Sequence, residues 1–187
     1  MFHRWPVPGG KVHSEFSDFL VYRPPTDHTP VRTLHGGLDI SYADNRPHLV
    51  IACAPGKVVT STTETTYNPG NIVTAGVALY QGKPITLYIC YGHMSPVAVR
   101  AWPVGRVIMP GVPLGFYGSS EEIKAGAVLN KTSPDMRAHL HLEIRMVSGG
   151  ALGETKRAFH FDPYLFLSVG RLQLGKVQGR RYPLTEF

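Results

Sequence analysis

The chain has 187 residues, the size of one ordinary domain, and its 43% hydrophobic and 17% charged residues exclude a disordered protein. No apolar run approaches the roughly 18 residues of a membrane-spanning helix, so we expect no membrane span. The formal net charge of +6 suits an anionic partner or simply a solvated basic surface, and no basic run with interleaved aromatic residues points to nucleic acid.

The first half of the chain has the pattern of short strands joined by turns. Twenty glycines and 16 prolines disfavour long helices, and residues 1–30 are predicted to be an irregular, proline-rich lead-in. Apolar or threonine-rich runs between turn signals predict four strands, at 48–53, 57–66, 72–80 and 85–91. Their regular spacing indicates antiparallel hairpins.

The second half continues this pattern. Three apolar segments follow in order: a tight-cornered run at 104–118, the clearest strand at 138–147 and a closing element at 159–167. The polar residues 119–137 predict a long loop with a helical turn near 121–125. We therefore predict an all-β, mainly antiparallel fold with little helix, organised as one domain over residues 1–168 and a basic tail over residues 169–187.

The two cysteines, Cys53 and Cys90, lie in apolar, strand-like runs and not in Cys-x-x-Cys spacing. Two buried free thiols fit this placement, and a disulfide between neighbouring strands is the alternative. Two cysteines exclude a four-thiolate zinc site.

The first chemically suggestive motif is His35-Gly36-Gly37-Leu38-Asp39, in which two metal-capable side chains stand four residues apart. The adjacent glycines disfavour a helix, so we expect a turn that leads into a strand and lets the backbone fold close to an ion. An ordinary surface turn is the alternative.

The second motif, His139-Leu140-His141-Leu142-Glu143-Ile144-Arg145, alternates strictly between polar and apolar residues. Side chains on a strand alternate between its two faces, so the polar residues share one face while the apolar residues pack into a core. Two imidazoles two residues apart can reach one small site. The polar set therefore faces either a metal-binding cleft or solvent.

The third motif, Tyr91-Gly92-His93-Met94-Ser95, ends the strand that begins near Ile85. An imidazole and a carboxylate from the first motif with an imidazole from the second would give three ligands and an open fourth position, as in catalytic zinc sites. Two histidines then remain for acid–base work. The other five histidines are predicted to be structural or on the surface: His3, His13, His28, His48 and His160.

In this order, the three motifs resemble those of the LytM/lysostaphin-type zinc endopeptidases, which include glycyl-glycine endopeptidases and peptidoglycan DD-metallopeptidases. That family shows HxxxD, an aromatic-x-His-Leu-Ser-like piece and HLHxE, which stand here as HGGLD, YGHMS and HLHLEI. The resemblance runs from Trp5 to Leu167 through the connecting turns and the closing Phe161-Asp162-Pro163-Tyr164-Leu165 segment.

The resemblance implies a lysostaphin-like catalytic domain and a role for each matching residue. His35, Asp39 and His141 would bind one Zn²⁺ per chain, and His139 and His93 would take the catalytic positions. A zinc-activated water would hydrolyse peptide cross-links of bacterial peptidoglycan. Glu143 would either orient a ligand from behind or be a surface glutamate.

The resemblance also implies a partner and a location. The partner would be peptidoglycan stem peptides or cross-bridges, and the monomeric protein would act outside the cytoplasm, in the periplasm, in the cell wall or as a secreted enzyme. The first residues lack the apolar stretch of a secretory signal, so we expect a leader that is absent or removed, or delivery by a phage or a dedicated secretion system. Residues 119–137 depart from the family pattern, which leaves the preferred cross-link open.

Two other functions compete with this one. A catalytically silent module of the same family could bind zinc or cell-wall peptide, or regulate a partner. Cupin-like metal enzymes also carry His-x-His on a strand, but they tend to place a glutamate and another histidine shortly after it. Here Glu143 follows too closely and His160 too late.

The basic tail suggests a test of wall attraction. Residues 170–187 carry four basic residues against Glu186 alone, so we expect them to strengthen attraction to an anionic wall. Deleting them should weaken co-sedimentation with wall material, more at low salt than at high salt. Equally tight and equally salt-sensitive binding of both proteins would contradict this.

Overall fold

The computed structural model describes residues 4–12, 22–23, 33–65, 67, 69–80, 83–130, 137–147 and 158–168. These residues contain eleven strands and three short helices. The strands are β1 (Tyr22–Arg23), β2 (Thr33–Leu34), β3 (Leu38–Ile40), β4 (Leu49–Ile51), β5 (Gly56–Thr62), β6 (Asn71–Tyr80), β7 (Lys83–Gly92), β8 (Val107–Ile108), β9 (Pro113–Phe116), β10 (Leu140–Val147) and β11 (Ala158–Phe161). The helices are α1 (Pro96–Ala101), α2 (Ser120–Asn130) and α3 (Pro163–Ser168).

A seven-stranded antiparallel sheet forms the body of the described chain. Its strands follow the order β11-β10-β7-β6-β5-β8, and β3 also pairs with β10. Strand β10 therefore has β7 along one edge, while β3 and β11 share the other edge at successive positions. Two small two-stranded sheets, β1-β2 and β4-β9, complete the architecture. The predicted all-β, mainly antiparallel fold is confirmed.

The predicted hairpins form with small shifts at their ends. Strands β6 and β7 pair along ten residues each, from Asn71 opposite Gly92 to Tyr80 opposite Lys83. Strand β5 ends at Thr62, four residues before the predicted end. The Thr62 and Thr65 hydroxyls accept hydrogen bonds from the backbone N–H groups two residues on, which bends the chain into a turn.

Strand β10 pairs with three other strands and is buried on both faces from Leu140 to Ile144. Leu140, Leu142 and Ile144 are 0% exposed and belong to the main hydrophobic cluster, as the alternating pattern predicts. The opposite face carries His141 and Glu143, which are also buried. The polar face of the motif therefore lines the interior of a site and is not a solvent-exposed strand face.

The predicted long loop at 119–137 is wrong for its first part, because α2 occupies Ser120–Asn130. A reciprocal capping box begins this helix: Ser119 Oγ accepts from the Glu122 N–H at 3.2 Å, and Glu122 Oε2 accepts from the Ser119 N–H at 2.8 Å. These two bonds satisfy backbone donors that the first turn of a helix leaves without partners. Residues 131–136 lie outside the described residues.

Helix α1 follows directly on the third motif and is a second helix that the strand pattern did not predict. Ser95 precedes it in extended conformation and accepts a hydrogen bond from the Ala98 N–H at 3.3 Å. Pro96 occupies the first turn, where a missing N–H costs nothing. The closing element likewise divides into strand β11 and helix α3.

Both cysteines are buried free thiols, so the disulfide alternative is wrong. Burial raises the pKa of Cys53 to about 11 and that of Cys90 to about 12. No helix in the described part of the chain is both long and apolar enough to cross a membrane. The predicted basic tail and the histidines His3, His13 and His28 lie outside the described residues.

The complete burial of Leu142 predicts a large effect of its replacement on stability. Leu142 is 0% exposed. Replacing it by alanine removes buried methyl groups and leaves a cavity, which should lower the free energy of unfolding by about 2–5 kcal/mol. Val77 on β6 is 62% exposed, so Val77→Ala is a control with a much smaller effect. Denaturant unfolding of the three proteins measures the difference, and equal effects would place Leu142 outside the core.

Candidate metal centre

Three sequence-predicted residues converge where β3 meets β10. Asp39 on β3 pairs directly with His141 on β10, and His35 lies in the turn before β3. Asp39 Oδ1 is 2.7 Å from His141 Nδ1 and 3.2 Å from His35 Nε2, and these two nitrogens are 3.1 Å apart. The first motif is thus a turn leading into a strand, as expected. His35 is only 4% exposed, so the surface-turn alternative is wrong.

The three atoms fit the ligand set of a zinc ion. Zinc binds histidine nitrogen and carboxylate oxygen at about 2.0–2.2 Å in a tetrahedron, so its ligand atoms lie about 3.3 Å from one another. The separations of 3.1 and 3.2 Å are close to that value, and the third, 2.7 Å, is a hydrogen-bond distance. Among the described residues, His35, Asp39 and His141 form the one group of three metal-capable side chains with converging ligand atoms.

Gly37 explains how the turn can lie so close to β10. A Cβ placed on Gly37 would be 2.5 Å from the Leu142 carbonyl oxygen, 2.8 Å from Glu143 Cγ and 2.9 Å from His141 Nε2. Two of these neighbours belong to the site, and the third is backbone that cannot move aside. A glycine is therefore required here for the turn before β3 to approach β10 this closely.

Glu143 contacts His141 from the side opposite Asp39 and His35. Its Oε1 is 2.7 Å from His141 Nε2, while Nδ1 of the same ring faces Asp39 and His35. Metal-binding histidines usually donate their second N–H to a carboxylate or carbonyl in this way. Glu143 is 3% exposed, so the surface-glutamate alternative is wrong and the geometry fits an orienting role.

Two further side chains surround the Glu143 carboxylate. Tyr67 donates a hydrogen bond to Oε1, and Arg145 forms an ion pair with Oε2. Arg145 also donates to the Tyr67 hydroxyl at 2.8 Å. The alternation along β10 predicted the face on which Arg145 lies. Tyr67 was missed, because it comes from the loop between β5 and β6, and no local pattern indicates where that loop folds.

Negatively and positively charged side chains alternate across the candidate metal centre. Burial raises the pKa of Asp39, but the nearby His139 and the hydrogen bonds from His141 and His35 outweigh it and hold that pKa well below its ordinary value. Burial also opposes ionisation of Glu143, yet the hydrogen bond and charge of His141, aided by Arg145, lower its pKa to about 2. Both carboxylates are therefore ionised at neutral pH.

His141 lies between these two carboxylates. Burial lowers its pKa, but the hydrogen bonds to Asp39 and Glu143 outweigh that effect and raise the pKa to about 9. In the metal-free protein at neutral pH, the imidazole consequently carries an extra proton. A metal ion that binds Nδ1 must displace a proton from this ring.

The structure brings His139 and His93 to the same cluster. His139 Nε2 is 3.6 Å from Asp39 Oδ1, and the His93 ring lies 4.5 Å from the His139 ring and 6.2 Å from the His141 ring. His93 and His139 are 6% and 8% exposed. All five sequence-predicted site residues therefore lie within one compact cluster on the polar side of β10.

The two remaining described histidines lie outside the triangle of candidate ligands formed by His35, Asp39 and His141, hereafter the ligand triangle. His48 stacks on Tyr42 and forms a partly exposed ion pair with Asp44. His160 on β11 donates from Nδ1 to the Gly36 carbonyl oxygen at 2.8 Å, next to the first motif. A Cβ on Gly36 would lie 2.7 Å from this ring, so Gly36 leaves the space that His160 occupies.

Residues 33–154 match the model of peptidase family M23, and the chain belongs to that family. Among solved structures, it is similar to the catalytic domain of the antimicrobial peptidase lysostaphin from Staphylococcus simulans. The TM-score is 0.50 at 22% identity, over 81% of this chain and 89% of that domain. This likeness confirms the lysostaphin-like fold.

The chain is also similar in structure to two longer proteins, with lower TM-scores. Lysostaphin itself gives a TM-score of 0.49 at 21% identity, over 88% of this chain and 56% of that chain. Csd3 from Helicobacter pylori gives 0.46 at 18% identity, over 90% of this chain and 40% of that chain. This chain thus matches only part of each. No curated protein sequence is significantly similar to it.

The charge arrangement predicts how zinc affinity depends on pH. His141 must lose its proton to bind the metal, and its metal-free pKa of about 9 lies above the ordinary 6.5. Zinc affinity should therefore rise about tenfold per pH unit above neutrality and level off once the pH passes the pKa of His141. Competition with a chelator at a series of pH values measures this.

Two variants separate the influence of the Glu143 charge on His141 from general effects of pH. In Glu143→Gln, the negative charge beside His141 is lost, so zinc affinity should stop rising at a lower pH than in the parent protein. His48→Ala changes a histidine outside the centre and should keep the parent profile. An affinity that already levels off near 6.5 in the parent protein would contradict the prediction.

Proposed function

We propose that this protein is a zinc-dependent endopeptidase that hydrolyses peptide cross-links of bacterial peptidoglycan. Membership of peptidase family M23 supports the class of reaction. The observation that carries the proposal is the convergence of His35, Asp39 and His141 beside two further histidines. A site that only bound a metal for stability would not need these additional buried imidazoles.

The donor set supports zinc as the metal. Two imidazole nitrogens and one carboxylate oxygen match catalytic zinc sites, whereas magnesium and calcium prefer oxygen ligands alone. Held by His35, Asp39 and His141, zinc would supply Lewis-acid activation of water and of a peptide carbonyl. The protein contributes by keeping the three donors at fixed separations in a buried, charged environment.

His139 is suited to accept a proton. The Arg137 carbonyl oxygen, 2.6 Å from His139 Nδ1, can only accept a hydrogen bond, so Nδ1 carries the hydrogen. In the neutral ring, Nε2 is then the basic nitrogen, and it faces the ligand triangle 3.6 Å from Asp39 Oδ1. This orientation supports a general-base role toward a water molecule bound there.

His93 is suited to interact with the substrate's carbonyl oxygen or with its leaving amine. It has a φ of 60°, which non-glycine residues rarely adopt, and its carbonyl oxygen accepts from the Gly118 N–H at 2.7 Å. The next residue is held as well, by a hydrogen bond from the Met94 N–H to the Gly70 carbonyl oxygen at 2.9 Å. From this position an imidazole N–H could stabilise negative charge on the substrate oxygen or protonate the leaving amine.

Peptidoglycan is the proposed substrate, and the proposed place of action is outside the cytoplasm, where this polymer lies. The motif resemblance and the formal net charge of +6 support this assignment. Incubation with purified sacculi that contain either direct or glycine-bridged cross-links, followed by mass analysis of the fragments, tests it. We expect new fragments from at least one type, loss of cleavage with a chelator and recovery with zinc. Intact sacculi of every type, with zinc bound to the protein, would refute it.

Alanine variants test the roles of the individual histidines. His141→Ala should lose most of its zinc, because one of the three donors disappears. His139→Ala and His93→Ala should keep zinc and the fold while hydrolysis falls by about 10²–10⁴-fold, the scale of losing an acid–base group. His48→Ala, outside the centre, should keep both. Elemental analysis and cross-link cleavage are measured on the same preparations.

Other outcomes would reassign the roles. If His139→Ala loses zinc as fully as His141→Ala, then His139 is a ligand and not the base. If the parent protein binds zinc and wall peptide without cleaving any cross-link, the chain is a binding module. Unchanged hydrolysis in His93→Ala would remove that residue from the mechanism.

A further inference from the structure

Tyr67 links the loop between β5 and β6 to the metal centre. Its ring stacks on that of His141, with centroids 5.0 Å apart and an interplanar angle of 18°. The same ring meets His93 edge-on at 6.1 Å. Gly92 makes room for it, because a Cβ there would lie 3.1 Å from Tyr67 Cγ. One side chain outside the three motifs thus contacts both a ligand histidine and an acid–base candidate.

The Tyr67 hydroxyl extends this contact to Glu143. It donates to Oε1, the oxygen that also faces His141 Nε2 at 2.7 Å. Arg145 completes the arrangement, since it pairs with Oε2 and donates to the Tyr67 hydroxyl at 2.8 Å. The carboxylate is therefore held from two directions, and its remaining freedom to turn away from His141 is small.

We infer that Tyr67 is a positioning residue of the metal centre, which acts with Arg145 by holding Glu143 against His141. The inference rests on the proposed zinc site and adds a residue that the motifs do not include. Stacking limits rotation of the His141 ring about its Cβ–Cγ bond, and the Glu143 hydrogen bond keeps Nδ1 directed toward Asp39 and His35. Both restraints hold the His141 ring in one orientation before zinc binds, so less conformational freedom is lost on binding and the affinity is higher.

The alternative is that Tyr67 only fills space beside the sheet. In that case, the hydroxyl would be irrelevant to the metal, and removing it would alter stability alone. The hydroxyl lies between the carboxylate of Glu143 and the guanidinium of Arg145, which favours the positioning role. A variant that removes the hydroxyl and keeps the ring can distinguish these two roles.

Tyr67→Phe is that variant. We expect its zinc affinity, measured by chelator competition, to fall by about 10–100-fold, the usual effect of removing a group that orients a metal ligand. Tyr91→Phe is the matched control: Tyr91 is a fully buried tyrosine whose hydroxyl accepts from the Cys53 N–H at 3.0 Å instead of contacting the centre. This control should lower the unfolding temperature and leave zinc affinity unchanged.

A second readout detects the change in ligand orientation directly. With cobalt(II) in place of zinc, the visible absorption spectrum reports the coordination geometry. Tyr67→Phe should shift the intensity or position of the bands, whereas Tyr91→Phe should reproduce the parent spectrum. A purely structural role of Tyr67 would leave this spectrum unchanged at full cobalt occupancy.

If Tyr67 and Arg145 both act through Glu143, the losses of zinc affinity in their variants should not be independent. Arg145→Gln should also weaken zinc binding, and the double variant Tyr67→Phe/Arg145→Gln should lose less affinity than the product of the two single losses. Arg145→Gln also provides an independent test if Tyr67→Phe folds poorly. Fully multiplicative losses would contradict action through one carboxylate.

The outcomes separate this inference from the proposed function. Tight zinc binding in the parent, with the same affinity and cobalt spectrum in Tyr67→Phe, overturns the inference alone. A parent protein that binds no zinc overturns both. A parent that binds zinc but cleaves no cross-link overturns the proposed function, while the affinity of Tyr67→Phe still decides the inference.

Discussion

The antiparallel pairing of β3 with β10 is the contact on which the site depends. It sets Asp39 directly opposite His141, so their side chains emerge on the same face within bonding distance. Because strand side chains alternate with a period of two, a slip of one residue would turn Asp39 into the core and abolish the site. Leu38 and Ile40, both 0% exposed, oppose such a slip, since it would expose them. A backbone bridge between Lys11 and Ser41 holds the end of the strand.

Burying this many polar groups is tolerable because each charge has a partner. Asp39 and Glu143 flank His141 on its two nitrogens, and Arg145 neutralises the outer side of Glu143. An isolated carboxylate at this depth would be driven toward its neutral form. The alternation of negative and positive groups keeps both carboxylates ionised, which is the state that a cation requires of its ligand and of the group behind it.

Local signals in the sequence predicted the strand and the turn that carry the site, whereas the choice of ligands and the roles of His139 and His93 came from the motif resemblance. Strict alternation from His139 to Arg145 indicated the strand and its polar face, and adjacent glycines indicated a turn before Asp39. The capping box at Ser119 and Glu122 is also a local signal and begins a helix, so the loop predicted there is wrong for Ser120–Asn130. Tyr67 is different in kind: its contacts with His141 and Glu143 span more than 70 residues, and only the folded chain brings them together.

His139, directly before β10, and His141, within it, differ in which ring nitrogen faces His35 and Asp39. On His141, Nδ1 faces the ligand triangle and Nε2 faces Glu143. On His139, Nδ1 is bonded to the Arg137 carbonyl oxygen, so Nε2 is the nitrogen that faces the triangle. Asn45, in the loop after β3 at a φ of 56°, accepts from the Ala138 N–H at 2.8 Å and so holds the backbone at the start of this motif. The partner of the second nitrogen therefore differs: the anionic Glu143 carboxylate lies behind His141, whereas the neutral Arg137 carbonyl lies behind His139.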